Sequence, residues 1–393
     1  MTIIAIATPD DPEPSRRRQG KKNKAKLRDG VMKRGRTWSY VIRVKDPETG
    51  VSKPKWVGGF DNEEAAKAAR DEARIKARRG EYIDRSSITV GGYLDQWVEA
   101  HAVEIKPKTL LSYRYLVELV KPHIGKIRLQ AVRPARITRM YRDLVTEGGT
   151  TGKGLSPRTV AHVHAVLRKA FGDAVNTDQL IAVNPVARAK RPRVENDEPG
   201  NVWTVDELRR FLGFAERHRL YAFFHLAAYS GARRGELLNL RWADVDLDGS
   251  AINITGSATF ISGERIEGTT KNGRSRIVSL DDDDTIRVLR EHLSRQAADK
   301  ERAGDEWKAQ GVRGDYVFMT SWGRPISPDT ASSLMADLIK GCNRDLGPSE
   351  AALPHARLHD LRHIHATTLL LAGVPVHVVA ARLGHTDPAV TLR

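Results

Sequence analysis

Residues 230–237 read Ser230-Gly231-Ala232-Arg233-Arg234-Gly235-Glu236-Leu237. Arg233 and Glu236 stand three positions apart, a spacing that puts both on one face of a helix. A carboxylate beside a guanidinium can fix the fork for bidentate work on a phosphate. Alone, the pair reads as an ordinary surface ion pair. Three further pieces follow in order. Thr270-Lys271-Asn272-Gly273-Arg274 sets Lys271 at the tip of a predicted hairpin, because Asn-Gly is a strong turn signal between β runs. Leu358-His359-Asp360-Leu361-Arg362-His363 sets His359 and Arg362 on one helix face. Leu383-Gly384-His385 sets a histidine just after a glycine that ends a helix. Each has a bland reading when taken singly: a solvated turn lysine, two surface residues, a capping histidine.

The block that carries these pieces, 201–393, reads as mixed α+β and mainly helical. Thr204-Val205-Asp206-Glu207 forms a capping box. Helical periodicity runs through Leu226, Ala227 and Leu237. Ala251 to Leu280 switches to strand chemistry, and helical patterns resume after Asp284. Residues 88–185 read as all helix. Tyr93, Leu94, Trp97 and Val98 open it, and Lys106-Pro107-Lys108-Thr109 interrupts it. Leu110, Tyr113, Leu116, Val117 and Val120 continue at helical spacing until Pro122 stops them. Ser156-Pro157 is an N-cap followed by proline at the first helical position, and Val160, Val163, Leu167, Ala170, Phe171 and Ala174 form a helical stripe. Asn184-Pro185 ends the unit, and 186–200 is a polar, proline-bearing linker.

Residues 31–85 read as a small sheet followed by a helix. Thr37 to Val44 and Lys55 to Phe60 are strands, with a turn marked by Asp46, Pro47 and Gly50. Asp61 is the expected N-cap, with Glu64 three residues on, for a helix from Ala65 to Arg79. Trp38 and Trp56 are expected in the core. The strands carry Arg43, Lys53 and Lys55, which fits a β-ribbon that reads a groove. Residues 1–30 are a tail with the charge block Arg16-Arg17-Arg18-Gln19-Gly20-Lys21-Lys22, of a kind that is solvated or serves as a DNA-contacting arm.

The charge is distributed accordingly. The 393 residues hold 65 Lys or Arg against 49 Asp or Glu, a net charge of +16. Residues 1–85 hold 22 basic against 13 acidic, residues 86–192 hold 17 against 8, and residues 193–393 hold 26 against 28. A basic first half joined to a near-neutral second half points to a polyanion-binding half feeding a different activity, with nucleic acid as the leading partner. One cysteine, Cys342, excludes a disulfide scaffold and a cysteine-rich zinc module and fits a reducing compartment. No run approaches the roughly 18 apolar residues of a membrane span, and the opening MTIIAIA lacks the basic flank and length of a signal peptide. His359, His363 and His365 cluster, but Asp360 stands where a zinc-protease motif needs glutamate and Arg362 intrudes, so no metal site is expected. Neither a Walker loop nor a dinucleotide-binding glycine motif is present, and no cofactor is expected.

Together the four pieces are far more specific than any one of them. The chain resembles the tyrosine recombinase family, the lambda-type phage integrases, over nearly its whole length. Residues 201–393 resemble the catalytic domain. Residues 88–185, with Lys106-Pro107-Lys108-Thr109 and Tyr113, resemble the helical core-site-binding domain, and 31–85 more weakly the three-stranded arm-site-binding domain. The resemblance implies that Arg233 and Arg362 clamp the scissile phosphate and that His359 and His385 add hydrogen bonds, with His359 accepting the nucleophile's proton. Lys271 would protonate the leaving 5′-oxygen, and Glu236 would hold Arg233. It also implies DNA contacts from Arg43, Lys55, Lys106, Lys108, Thr109, Tyr113 and Arg158. A covalent tyrosyl link would store the phosphodiester energy, so neither ATP nor Mg²⁺ is called for.

The family's nucleophilic tyrosine follows the Leu-Gly-His histidine by nine residues. From His385 that is position 394, one beyond Arg393, and none of the nine tyrosines present stands in that motif. The 393 residues alone are therefore expected to bind DNA without cleaving it. The resemblance implies a homotetramer on double-stranded DNA with core and arm sites in the host cytoplasm, and accessory directionality or DNA-bending proteins as further partners. Two other readings stay open: a DNA-binding protein that uses the fold only for occupancy or repression, and a type IB topoisomerase, against which the arm-like N-terminal domain argues.

Overall fold

The computed structural model describes residues 30–45, 49–79, 81–149, 152–194, 202–261, 263–270, 273–280, 283–308, 314–347 and 350–392. They fall into two compact units, one of residues up to 105 with 109–193, the other of 106–108 with 194–393.

The first unit opens with a three-stranded antiparallel sheet, β1 (Val31–Arg34), β2 (Thr37–Lys45) and β3 (Ser52–Phe60), in the order β1-β2-β3. Helix α1 (Glu63–Arg78) lies on one face and closes a small core of Val31, Tyr40, Ile42, Val57, Ala66 and Ala73. The N-cap is Asn62, not Asp61. Asn62 has extended backbone and its side-chain oxygen accepts from Ala65 N at 2.8 Å, so the helix starts two residues earlier than expected. Strand β1 was absent from the sequence reading, since four residues ending in Lys-Arg carry little strand signal.

Pairing of Ile42 with Lys55 and of Val41 with Trp56 fixes the register. Alternation along the strands then puts Trp38 on the helix side, partly buried against the core, and Trp56 on the open side. Trp56 is 41% exposed with the Arg34 guanidinium 4.1 Å above its ring, which corrects the core assignment.

The rest of this unit is helical: α2 (Val90–His101), α3 (Pro107–Ile124), α4 (Pro134–Glu147) and α5 (Pro157–Asn176). Leu94, Trp97, Val117, Val120, Ile137, Tyr141, Val163, Leu167 and Phe171 make its core. Ser156 caps α5 by accepting from Thr159 N, with Pro157 at the first helical position. Pro122 does not stop α3. It sits in the last turn, the helix runs on to Ile124, and Gly125 N closes it on Lys121 O at 2.9 Å. Helix α4 was not resolved from sequence, although Pro134 and the spacing of Ile137, Met140, Tyr141 and Leu144 carry its signal.

In the second unit Thr204 and Glu207 form the expected capping box at the start of α6 (Val205–Ala215). Helix α7 (Tyr221–Ser230) is apolar almost all round and buries Phe223, Phe224 and Leu226 at the centre of the core. It ends at Gly231, whose φ of +61° is the left-handed cap, and α8 (Arg234–Leu237) follows at once.

Short strands come next: β4 (Val245–Asp246), β5 (Ala251–Ile254), β6 (Ser257–Ile261), β7 (Glu264–Gly268) and β8 (Arg276–Ser279). They form a β4-β5-β8 sheet and a separate β6-β7 hairpin. The segment around Asn272-Gly273 therefore does not join paired strands, because β8 pairs with β5 across the inserted hairpin. Helices α9 (Asp283–Ala303), α10 (Pro328–Arg344), α11 (Asp360–Leu371) and α12 (Val376–Leu383) complete the unit.

Candidate active site

Four chain segments of the second unit meet where α7 ends. Gly231 supplies the turn into α8, and Arg233 is the N-cap of α8, not a residue within it. The main chain of Arg233 donates to Glu236 Oε2 at 2.9 Å and its Nη1 donates to Glu236 Oε1 at 2.9 Å, so one carboxylate caps the helix and aims the guanidinium. Arg362 lies in the first turn of α11, 4% exposed. Its Nη1 donates to Gly231 O at 2.6 Å, and its Nη2 to Leu383 O at 2.7 Å and to His385 Nε2 at 2.8 Å. Among the described residues its hydrogen-bond partners are two carbonyls and an imidazole, and the Glu236 carboxylate nearby favours its charge without bonding to it.

His385 follows Gly384, the left-handed cap of α12 at φ +68°. Because a guanidinium can only donate, His385 Nε2 is the acceptor and its proton sits on Nδ1, 2.9 Å from Thr391 Oγ1. Partial burial, then the Arg362, Arg233 and Arg276 charges, hold its pKa down to about 4, in keeping with that neutral form. His359 is the N-cap of α11, and its ring meets that of His363 edge-on at 5.0 Å. Its surface is exposed on one side, yet crowding around the ring, then His363, then Arg362, lower its pKa to about 4. It is thus a neutral imidazole able to accept a proton. Burial, then the Arg233 charge, disfavour the charged form of Arg362, but a guanidinium keeps its proton throughout the neutral range.

Two residues at this centre were missed from sequence. Arg276 on β8 donates to both oxygens of Glu236, at 3.2 and 2.7 Å, so Glu236 holds two guanidiniums where the resemblance implied one. Arg382 donates from Nε to His365 Nε2 at 3.1 Å and from Nη2 to Ser279 O at 2.8 Å, which pins the end of α12 to β8. No linear motif marked either. Lys271 lies outside the described residues. On either side of it, Thr270 Oγ1 donates to Arg274 O at 2.7 Å. Among the described residues no group of three metal-ligating side chains is placed to hold an ion.

The implied DNA contacts are placed unevenly. Arg43 lies on the open face of the sheet, its Nη2 donating to Ser52 O at 2.9 Å. Lys55 lies on the other side, paired with Asp84. Lys106, Lys108, Thr109 and Arg158 are exposed. Tyr113 is half-buried, its ring stacked on Trp97 at 5.4 Å.

Family models match three stretches of the chain: the phage integrase family over residues 201–393, the N-terminal SAM-like domain of phage integrases over 89–145, and an arm DNA-binding domain over 31–77. The chain belongs to the phage integrase family of tyrosine recombinases. It is accordingly a DNA strand-transferring enzyme, a site-specific recombinase. A XerC-like tyrosine recombinase of Caldanaerobacter subterraneus subsp. tengcongensis is 27% identical over 346 residues, 83% of each chain. The Tn1549 transposon integrase in complex with a circular-intermediate DNA shares the fold at 20% identity and a TM-score of 0.67, over 78% of this chain and 94% of that one. A lambda integrase, solved as a tetramer on a Holliday junction, matches at 20% identity and a TM-score of 0.55, over 92% and 97%.

The recombinase keeps its site histidines neutral through burial and neighbouring cations, and that has a cost in acid. His365 and His292, with pKa values pushed to about 4, join His359 and His385 in this respect. The unfolded chain, with histidine near 6.5, binds more protons between those values. Stability is therefore full above about pH 6.5 and declines as pH falls toward about 4. Thermal unfolding across a pH series should show the midpoint falling through this window, and a flat midpoint would contradict the assignment.

Proposed function

We propose that this recombinase integrates and excises the DNA of a phage or other mobile element, with Arg233 and Arg362 gripping the scissile phosphate. Phosphoryl transfer spreads negative charge over non-bridging oxygens, and preorganised cationic donors stabilise it. The observation that carries the reading is Arg362, which is buried, has its fork fixed by Gly231 O and Leu383 O, and is supported in its charged form by the Glu236 carboxylate nearby. His385 adds a hydrogen bond, neutral His359 takes the proton of the attacking hydroxyl, and Lys271 gives one to the leaving 5′-oxygen. The nucleophile is a tyrosine hydroxyl, whose attack leaves a 3′-phosphotyrosine that a second strand's 5′-hydroxyl resolves.

The enzyme acts as a homotetramer on two core sites, with residues 31–85 on separate arm sites and residues 88–185 on the core, in the host cytoplasm. Directionality or DNA-bending proteins assist it. Support comes from the solved relatives: the lambda integrase is a tetramer on a Holliday junction, and the Tn1549 integrase is bound to DNA. Arg43, Lys106, Lys108, Thr109 and Arg158 are the phosphate-contacting set. Lys55, paired with Asp84, and Tyr113, stacked on Trp97, belong to the same DNA-contacting set.

The test uses a core duplex recovered by selection from a randomised pool and then nicked near the cleavage point. A chain extended through a tyrosine at position 394 should form an adduct that survives denaturing electrophoresis, and the 393-residue chain should bind and form none. An adduct with the shorter chain would show that another residue attacks.

A further inference from the structure

Arg276 lies on β8, outside the set of residues that grips the phosphate, yet it is bound into the centre from two directions. Its Nη1 and Nη2 donate to Glu236 Oε1 and Oε2 at 3.2 and 2.7 Å, and its Nε donates to Arg382 O at 2.8 Å. The Glu236 side chain is 1% exposed, and its two oxygens also accept from Arg233 Nη1 and Arg233 N. On the other side, a Cβ built on Gly384 would lie 2.9 Å from Arg276 Nη1, so the guanidinium is packed against the residue that precedes His385.

We propose that Arg276 is a positioning residue for strand cleavage, fixing Arg233 through the shared Glu236 carboxylate and His385 through the Arg382–Gly384 backbone. This rests on reading the centre as the strand-cleaving site. Removing Arg276 leaves Glu236 buried with one partner and frees the chain entering His385. Small misplacements of this kind cost about 10²-fold in rate.

The charge arithmetic gives a readout that simple loss of packing would not move. Burial pushes the Glu236 carboxyl up, and the Arg276 hydrogen bond, ahead of its charge and of Arg233, brings it below the ordinary range. The charged groups around Glu236 are Arg233 at the start of α8, Arg276 on β8 and Arg362 on α11, and His385 after α12 faces the same three arginines. Without Arg276 the carboxyl takes its proton at higher pH. The carboxylate form, which aims Arg233, is present above that pKa and lost as pH falls through it.

The experiment measures adduct formation on the nicked core duplex, binding to the same duplex, and thermal unfolding, in the full chain extended through a tyrosine at position 394. Arg276→Gln should cut adduct formation by ~10²-fold at neutral pH with binding retained, and the loss should steepen in mild acid, where the parent stays flatter. Arg276→Lys should recover part of the rate, since an ammonium keeps the charge but cannot span both oxygens and Arg382 O. If Arg276→Gln unfolds, Arg276→Lys carries the test, because its rate should fall with binding retained and its loss should steepen in mild acid relative to the parent. A parent-like rate in the variants, or a loss with the parent's pH profile and no recovery by lysine, would overturn the proposal. A parent that binds but forms no adduct would overturn the reading of the site itself, and this inference with it.

Discussion

Arg362→Ala is expected to lower strand cleavage by about 10³–10⁵-fold, the range a transition-state arginine contributes in other phosphoryl transfers, while core-site binding changes far less. The reason is geometric. Arg362 is buried with its fork set by Gly231 O and Leu383 O, so on the proposed reading it adds little to general binding of a DNA backbone and acts on the scissile phosphate alone. Arg362→Lys should rescue little, because a single ammonium cannot hold two carbonyls and His385 while presenting a second donor edge. Arg233→Ala should behave alike. The measurement pairs adduct formation with equilibrium binding in the same chain. Parallel loss of both would make these arginines plain DNA contacts.

Gly231→Ala should damage stability and chemistry together. At φ +61° an alanine meets the left-handed penalty of about 1–2 kcal/mol. Its Cβ would also lie 2.6 Å from Leu383 Cδ2 and 2.7 Å from His365 Cδ2, and overpacking adds about 1–3 kcal/mol. The backbone that must shift carries the carbonyl that fixes Arg362, so the rate should fall by ~10²-fold even where the protein remains folded. Chemical denaturation and adduct formation in parallel would check this, and a normal rate in a destabilised but folded variant would show that the Gly231 carbonyl does not set the arginine.

Arg233, Glu236, His359, Arg362 and His385 were legible in the sequence because each stands in a short motif whose residue order survives folding. Arg276 and Arg382 were not, because their partners are 40 and 17 or more positions away and only the fold brings them together. The stripe from Val160 to Ala174 was legible from period alone. Trp56 was misread because composition says nothing of register: one residue's shift along β3 decides whether an indole faces α1 or the open side. Pro122 was read as a stop, yet the helix runs two residues past it to Ile124. The Asn272-Gly273 signal did not tell which strands pair, since β8 lies against β5 and not against the strand before it.

The centre draws on the carbonyl of Gly231 and the imidazole of His385, with Arg362 bonded to both. During synthesis on the ribosome the first of these leaves the exit tunnel long before the last has been translated. The acceptor set of Arg362 is therefore complete only once His385 has been made, after the whole of the first unit.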